Sequence, residues 1–91
     1  MRIMYQHVAG IDVHKKIIAV AILVLDQEGQ WYQETRTFST MTADLLALSD
    51  WLTSHGVTHV AMESTGEYWK PLFNILEEDF EVVLVNARHL W

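Results

Sequence analysis

The chain has 91 residues, no cysteine, a formal net charge of −6 and 51% hydrophobic residues. These values predict one small globular domain and exclude disulfide bonds, cysteine-ligated zinc and a disordered chain. The sequence has only six lysines and arginines but twelve acidic residues. Since surfaces that bind nucleic acid are basic, we expect this chain to bind nucleic acid weakly by itself.

The sequence contains no predicted membrane segment. Its longest apolar run, Ile17–Leu25, is far too short to cross a bilayer. The first residues, "MRIMYQH", lack the basic and then apolar pattern of a secretory signal. We therefore expect a cytoplasmic protein without a membrane partner.

The first part of the chain predicts three consecutive strands. Residues 5–14 alternate between apolar and polar, which favours a strand, and Ile17–Leu25 is a continuous aliphatic run typical of a strand covered on both faces. A polar turn at Asp26–Gly29 leads into a third strand over residues 30–38. These strands predict a β-meander, with Trp31 in the core.

The periodicity changes to that of a helix over residues 42–56. Leucines at helical spacing share one face of this segment: Leu45, Leu48 and Leu52. Thr42 is a candidate N-cap, and Gly56 is a suitable terminator. The pattern predicts an amphipathic helix that packs on the sheet.

The last part predicts a strand, a helix and a strand. Residues 57–63 form a short apolar run that ends in Glu63, and the next helix is expected to begin near Lys70, with Pro71 in its first turn. A fifth strand covers residues 80–85. The order β-β-β-α-β-α-β predicts an α/β protein with a mixed five-stranded sheet. One face of that sheet lacks a cover, which favours self-association into a homo-oligomer.

Two acidic residues are candidate metal ligands. Asp12 interrupts an apolar strand, and Gly10 and His14 lie on the same face of that strand. If the first and fourth strands are neighbours, Asp12 and Glu63 meet at one end of the sheet. Carboxylate oxygens are the ligands that Mg²⁺ and Mn²⁺ prefer, so the pair predicts a divalent-metal site.

Simpler roles remain open for both acids at this stage. Asp12 is also compatible with a solvent-facing position at a sheet edge. Glu63 is also compatible with a position near the N-terminus of the following helix, where the helix dipole favours negative charge.

Three motifs resemble a known family. They are "GIDVHKK" at residues 10–16, "MESTGEYW" at 62–69 and "VVLVNARHLW" at 82–91. The chain resembles the DEDD transposases, the Piv-like insertion-sequence recombinases of bacteria and archaea. The resemblance implies a ribonuclease H-like, RuvC-like fold, with residues 1–91 as the amino-terminal part of a catalytic domain that is truncated after its fifth strand.

The resemblance also implies a chemistry. In this family, acids in the order Asp, Glu, Asp, Asp hold Mg²⁺ or Mn²⁺ for DNA cleavage and strand transfer, and Asp12 and Glu63 match the first and second. The later acids, and a carboxy-terminal domain with a serine nucleophile, are expected beyond this chain, so we expect the fragment to be inactive alone. Implied partners are DNA and, through the full-length protein, a bridge RNA.

Residues beside the two acids are candidate nucleic-acid contacts. His14, Lys15 and Lys16 follow the first acid, and Tyr68 and Trp69 follow the second. Lysines can bind phosphate, and an aromatic ring can stack on a base or sugar. The simpler interpretation is a solvated hairpin for the lysines and core packing for one of the two aromatic residues.

Two other classes of function are compatible with the sequence. A phosphotransferase of the actin and sugar-kinase superfamily shares the early strands and a Gly-Ile-Asp start, but there glycine and small hydroxyl residues follow the acid, whereas "VHKK" follows it here. A non-catalytic dimerisation module is the second alternative.

Overall fold

The computed structural model describes residues 6–85 of the chain. Within them, five strands and two helices follow in the predicted order. The strands are β1 (His7–Val13), β2 (Ile17–Leu25), β3 (Trp31–Ser39), β4 (His59–Ser64) and β5 (Glu81–Val85). The helices are α1 (Thr42–Ser54) and α2 (Lys70–Leu76).

The strands form one mixed sheet in the order β3-β2-β1-β4-β5. The first three strands are antiparallel neighbours, as in a meander, whereas β4 pairs parallel to β1 and β5 pairs parallel to β4. Each parallel pairing follows a helical crossover, since α1 connects β3 to β4 and α2 connects β4 to β5. The chain therefore brings the first and fourth strands together at the centre of the sheet.

Both helices contribute to a single hydrophobic core on one face of the sheet. Alternate residues of β1, namely Ala9, Ile11 and Val13, point into this core. Leucines of both helices meet them there: Leu45, Leu48, Leu52, Leu72 and Leu76. We call this the helix face of the sheet, and we call the opposite side, to which Gly10 and Asp12 belong, the open face.

The prediction that β2 is covered on both faces is wrong for the described part of the chain. Ile18, Val20 and Ile22 are buried on the helix face, while Ala19 and Leu23 are exposed on the open face. The aliphatic run of β2 is therefore a one-sided strand whose second face also happens to be apolar. Trp31 was expected in the core and is 50% exposed, because it begins the outermost strand, β3.

Helix α1 begins differently from the prediction. Met41, and not Thr42, is the N-cap, and it forms no side-chain cap hydrogen bond. Instead, Asp44 in the first turn accepts a hydrogen bond from the backbone N–H of Ser39 at 3.0 Å. Hydrogen bonds from Ser39, with a smaller contribution from the charge of Arg36, hold the pKa of Asp44 below its ordinary value.

The remaining helix boundaries agree with the sequence. Gly56 ends the α1 region with a φ of 69°, a left-handed conformation that glycine adopts without steric cost. Helix α2 begins at Lys70, and Pro71 lies in its first turn, where proline costs no backbone hydrogen bond. Neither helix of residues 6–85 is long and apolar enough to cross a membrane.

Candidate functional site

Asp12 and Glu63 are direct neighbours across the β1–β4 pair. Their Cα positions are partners in the parallel register, and adjacent strands lie about 4.8 Å apart. Both side chains leave the sheet on the open face, because their register neighbours on the other face, such as Ile11 and Met62, are buried. The sequence placed these acids 51 positions apart, and the topology brings them side by side.

The space in front of the two acids is a broad groove on the open face. Its volume is about 860 Å³. The floor consists largely of small residues on the three central strands, including Gly10, Ala19, Ala21 and Ala61. A Cβ built on Gly10 would meet no atom within 4 Å, so this glycine adds open space beside Asp12. The groove leaves room for a ligand much larger than a metal ion.

His14 interacts directly with the first acid. Its Nε2 lies 2.9 Å from Oδ2 of Asp12, and the two side chains are 44% and 52% exposed. The position of His14 is fixed by the hairpin, since its backbone N–H donates to the carbonyl oxygen of Ile17 at 3.0 Å. One carboxylate oxygen of Asp12 is thus hydrogen-bonded to imidazole, and the other is available to a ligand.

Glu63 is half-buried, and within residues 6–85 its carboxylate forms no hydrogen bond and no salt bridge. The two carboxylates leave the sheet side by side on the open face, where both line the groove and are accessible to a cation. The donor set suits Mg²⁺ or Mn²⁺, which bind through one or two carboxylates and complete their coordination with water and substrate phosphate. No cluster of three histidine, aspartate or glutamate side chains that could hold a metal occurs in the described residues.

The two lysines after His14 lie in the β1–β2 hairpin. Lys15 and Lys16 are exposed. The carbonyl oxygen of Lys15 accepts a hydrogen bond from the hydroxyl of Thr40 at 3.3 Å, which ties the hairpin to the turn before α1. Both ammonium groups are therefore presented to solvent at the end of the sheet where Asp12 lies.

The structure separates the two aromatic residues after Glu63. Trp69 is half-buried against the core, with its ring 5.4 Å from that of Phe73 in an edge-to-face arrangement. Tyr68 is 44% exposed and lies over Gly66, whose φ of 56° turns the chain after β4. Tyr68 is thus the ring of this pair that is free to stack on a ligand, and Trp69 fixes the segment to the core.

The residues that β3 contributes to the groove are not predicted by the sequence. Thr35, Arg36 and Thr37 line it together with Val85 of the opposite edge strand. The alternation of side chains along β3 indicates that Thr35 and Thr37 share a face of the sheet. Only the strand order, with β2 between β3 and β1, shows that this face is the one that carries Asp12.

Comparison with known families gives one match. A family model named DEDD_Tnp_IS110 and described as a transposase matches residues 9–91. That range includes all three sequence motifs, although residues 86–91 of the third lie outside the residues that the structure describes. No curated protein sequence gives a significant match.

Solved structures show the same fold at low sequence identity. The fowlpox virus resolvase, solved with its substrate Holliday junction DNA, has a TM-score of 0.59 at 14% identity, covering 89% of this chain and 60% of the resolvase. The Ppx/GppA family member of Aquifex aeolicus has a TM-score of 0.56 at 11% identity, covering 94% and 37%. An exopolyphosphatase from Cytophaga hutchinsonii has a TM-score of 0.58 at 13% identity, covering 91% and 35%.

These structures establish the fold class and the relative size of the chain. The mixed five-stranded sheet with its helical crossovers is a ribonuclease H-like fold, which confirms the prediction from sequence. The chain spans between 35% and 60% of the three solved proteins.

Proposed function

The chain belongs to the DEDD transposase family of the IS110 type, and from that membership we propose that Asp12 and Glu63 are its metal-binding carboxylates. In the whole protein they serve metal-dependent cleavage and transfer of DNA strands. The observation that carries the proposal is the register of β1 and β4, in which the two acids are direct partners on the open face. Two acidic residues that match the family motifs only by chance would not be expected to be register partners on the same face of the sheet.

The roles of the residues follow from their contacts. Asp12 and Glu63 would hold Mg²⁺ or Mn²⁺, and His14 orients Asp12 through its hydrogen bond to Oδ2. A bound divalent ion would polarise the scissile phosphate and offset the repulsion between the carboxylates and the DNA backbone. The family's later acids are expected from residues beyond those described, so we propose that this chain alone is catalytically inactive.

DNA is the proposed substrate, and the chain supplies only part of its binding surface. In this proposal Lys15 and Lys16 contact phosphates beside the acids, and the ring of Tyr68 stacks on a base or sugar, which the exposure of all three residues supports. With a net charge of −6, the chain needs basic surface elsewhere in the assembled protein for tight binding. We also propose that the whole protein is a homo-oligomeric, cytoplasmic enzyme that binds a bridge RNA.

A manganese titration tests the proposal. Two carboxylates give weak binding, with a dissociation constant on the order of 1 mM. We expect Asp12→Asn and Glu63→Gln each to weaken Mn²⁺ binding by more than about tenfold, measured by water-proton relaxation or calorimetry. Asp50→Asn is the matched control, since Asp50 is an exposed acid on α1 and its loss changes the net charge equally. Equal binding by wild type and Asp12→Asn would refute the assignment.

A phosphotransferase is the second candidate, because phosphatase structures share the fold. Against it, the segment after Asp12 is the tight hairpin of His14, Lys15 and Lys16, which supplies neither glycine nor hydroxyl groups to hold a nucleotide phosphate. Saturable binding of ATP by the chain, measured by calorimetry in the absence of DNA, would favour this candidate. We expect no such binding at nucleotide concentrations up to about 1 mM, a usual upper range for substrate affinity.

A further inference from the structure

The outer edge of β3 is long and uninterrupted. All nine residues, Trp31–Ser39, pair with β2 in one continuous register without a bulge. The strand contains neither lysine nor proline, two residues with which natural proteins block a free edge, and its charged residues are Glu34 and Arg36. Its inner side is paired with β2, and no strand of the described residues pairs with its outer side, where only the outward N–H of Ser39 has a partner, the carboxylate of Asp44 at 3.0 Å.

The backbone groups that face outward can be identified from the ladder. His14 donates to Ile17 and Leu25 donates to Gln6, so the odd-numbered residues of β2 are hydrogen-bonded to β1. Because bonding alternates along an antiparallel strand, the even-numbered residues of β2 bond to the even-numbered residues of β3. The outward N–H and C=O groups of β3 therefore belong to its odd-numbered residues, with Thr35 at the centre.

Two opposite charges flank that centre. Glu34 and Arg36 lie on the same face of β3, and neither forms a salt bridge within the described part of the chain. The guanidinium of Arg36 lies 5.0 Å from the ring centroid of Phe38, and the carboxylate of Glu34 accepts a hydrogen bond from Tyr32. Glu34 has a neutral neighbour on its own strand, whereas Arg36 also lies 5.7 Å from the ring centroid of Trp51 and its charge acts on Asp44. Neither is held in a salt bridge in the described residues, so both are available to an ionic partner across the edge.

We propose that two copies of this chain pair antiparallel along β3, about a two-fold axis through Thr35, to form one continuous sheet. In this register Thr35 opposes Thr35 of the second copy. Glu34 opposes Arg36 of the second copy, and Arg36 opposes its Glu34. These charged positions are non-hydrogen-bonded pairs, in which side chains approach most closely.

The charges select this register over its neighbours. An axis through Glu34 would oppose two glutamates, and an axis through Arg36 would oppose two arginines. Like charges directly opposite each other destabilise a strand pair. The axis through Thr35 also lets the outward groups of Gln33, Thr35 and Thr37 bond across the edge, whereas the N–H of Ser39 already donates to Asp44. It places Tyr32, which is 47% exposed, opposite Phe38 of the second copy.

The dimer leaves the metal site accessible. With a two-fold axis perpendicular to the sheet, the helix faces of the two copies lie on one side of the continuous sheet and their open faces lie on the other side. Asp12 lies on β1, which is separated from the edge by β2 and β3. Five strand spacings therefore separate the two β1 strands, a distance on the order of 25 Å. The inference is independent of whether Asp12 and Glu63 bind metal.

A charge-swap experiment tests the pairing by measuring only the association of the two copies. Sedimentation of the 91-residue chain at about 100 µM should show a reversible dimer of the weak, small-interface class. Glu34→Arg and Arg36→Glu each place like charges across both pairs and should each raise the dissociation constant at least about tenfold. A mixture of the two variants restores opposite charges across both pairs and should form a heterodimer. Recovery in the mixture excludes misfolding as the cause of either loss.

Disulfide trapping tests the register. The chain contains no cysteine, so a single introduced thiol can bond only to its copy. Residues in a hydrogen-bonded pair have Cα atoms about 5.5 Å apart, within disulfide range, so Thr35→Cys should give a covalent dimer on mild oxidation. Gln33→Cys, on the same face, is the matched control and should form no covalent dimer, because Gln33 opposes Thr37 of the second copy and not Gln33. A monomeric wild type, or equal crosslinking of both variants, would overturn the proposal.

Discussion

The two faces of the sheet use alternate residues of the same strands for different purposes. On the helix face, β1 contributes Ala9, Ile11 and Val13, each at most 5% exposed. On the open face the same strand contributes Gly10 and Asp12, beside a groove. The period of two along a strand thus lets one short segment build the core and present a carboxylate without conflict.

This difference explains how an acid is tolerated within an apolar strand. The side chain of Asp12 is 52% exposed, so its carboxylate does not bear the full cost of burial. The apolar character of the segment belongs to the helix face alone. We therefore expect substitution of Asp12 to leave the fold intact, whereas truncation of its buried neighbours Ile11 and Val13 should destabilise it.

Truncation of a core leucine should change the free energy of unfolding more than the other substitutions, and it tests the packing on the helix face. Leu48 of α1 is fully buried, and Leu48→Ala should lower the free energy of unfolding by about 3 kcal/mol through lost burial and the cavity that remains. Urea denaturation followed by circular dichroism measures the change. Leu46→Ala on the same helix is the control, because Leu46 is 51% exposed and its loss should cost no more than about 0.5 kcal/mol. Equal losses would mean that α1 does not pack as described.

A glycine substitution on the open face should act in the opposite direction. Gly10 has open space around its missing Cβ and no positive φ. Gly10→Ala should therefore raise the free energy of unfolding by about 0.5–1 kcal/mol, since alanine loses less backbone entropy on folding. The same denaturation experiment measures it, with Ala61→Gly as the reverse control on the neighbouring strand. Destabilisation by Gly10→Ala would show that the open face is more crowded than the structure indicates.

The smallest expected effect is on the pH dependence of stability, and it concerns Asp44 at the start of α1. Its pKa is lower in the folded chain than the ordinary value of about 4, so the ionised form stabilises the fold. This contribution is fully present above the unfolded-state pKa and is lost as the pH falls through the folded-state pKa. Asp44→Asn should reduce stability at neutral pH, and the difference from wild type should shrink as the pH falls below about 4 in a thermal-unfolding series. A difference that grows on acidification would contradict the Ser39 contact.

The element order and the strand boundaries could be predicted closely from sequence, because hydrophobic periodicity and turn residues are local signals. The contact between Asp12 and Glu63 could be expected only on the condition that β1 and β4 are neighbours, and the strand order meets that condition. Metal binding by the pair remains a prediction.

The errors at β2 and Trp31 share one physical origin, which is that exposure depends on what packs against a residue, whereas the error at Thr42 concerns a local hydrogen bond. The aliphatic run of β2 gave no sign that only one of its faces is covered in the described chain. Trp31 has the composition of a core residue and lies on the outermost strand. Thr42 matches an N-cap by type, yet the contact that secures the start of α1 comes from Asp44 two residues later.

The measurement that tests the central claim most directly is an anomalous-difference map from crystals of this chain grown with Mn²⁺. We predict a peak on the open face within coordination distance of carboxylate oxygens of both Asp12 and Glu63, and no such peak in crystals of Asp12→Asn. A map in which manganese lies elsewhere while the two carboxylates turn away from each other would contradict the account.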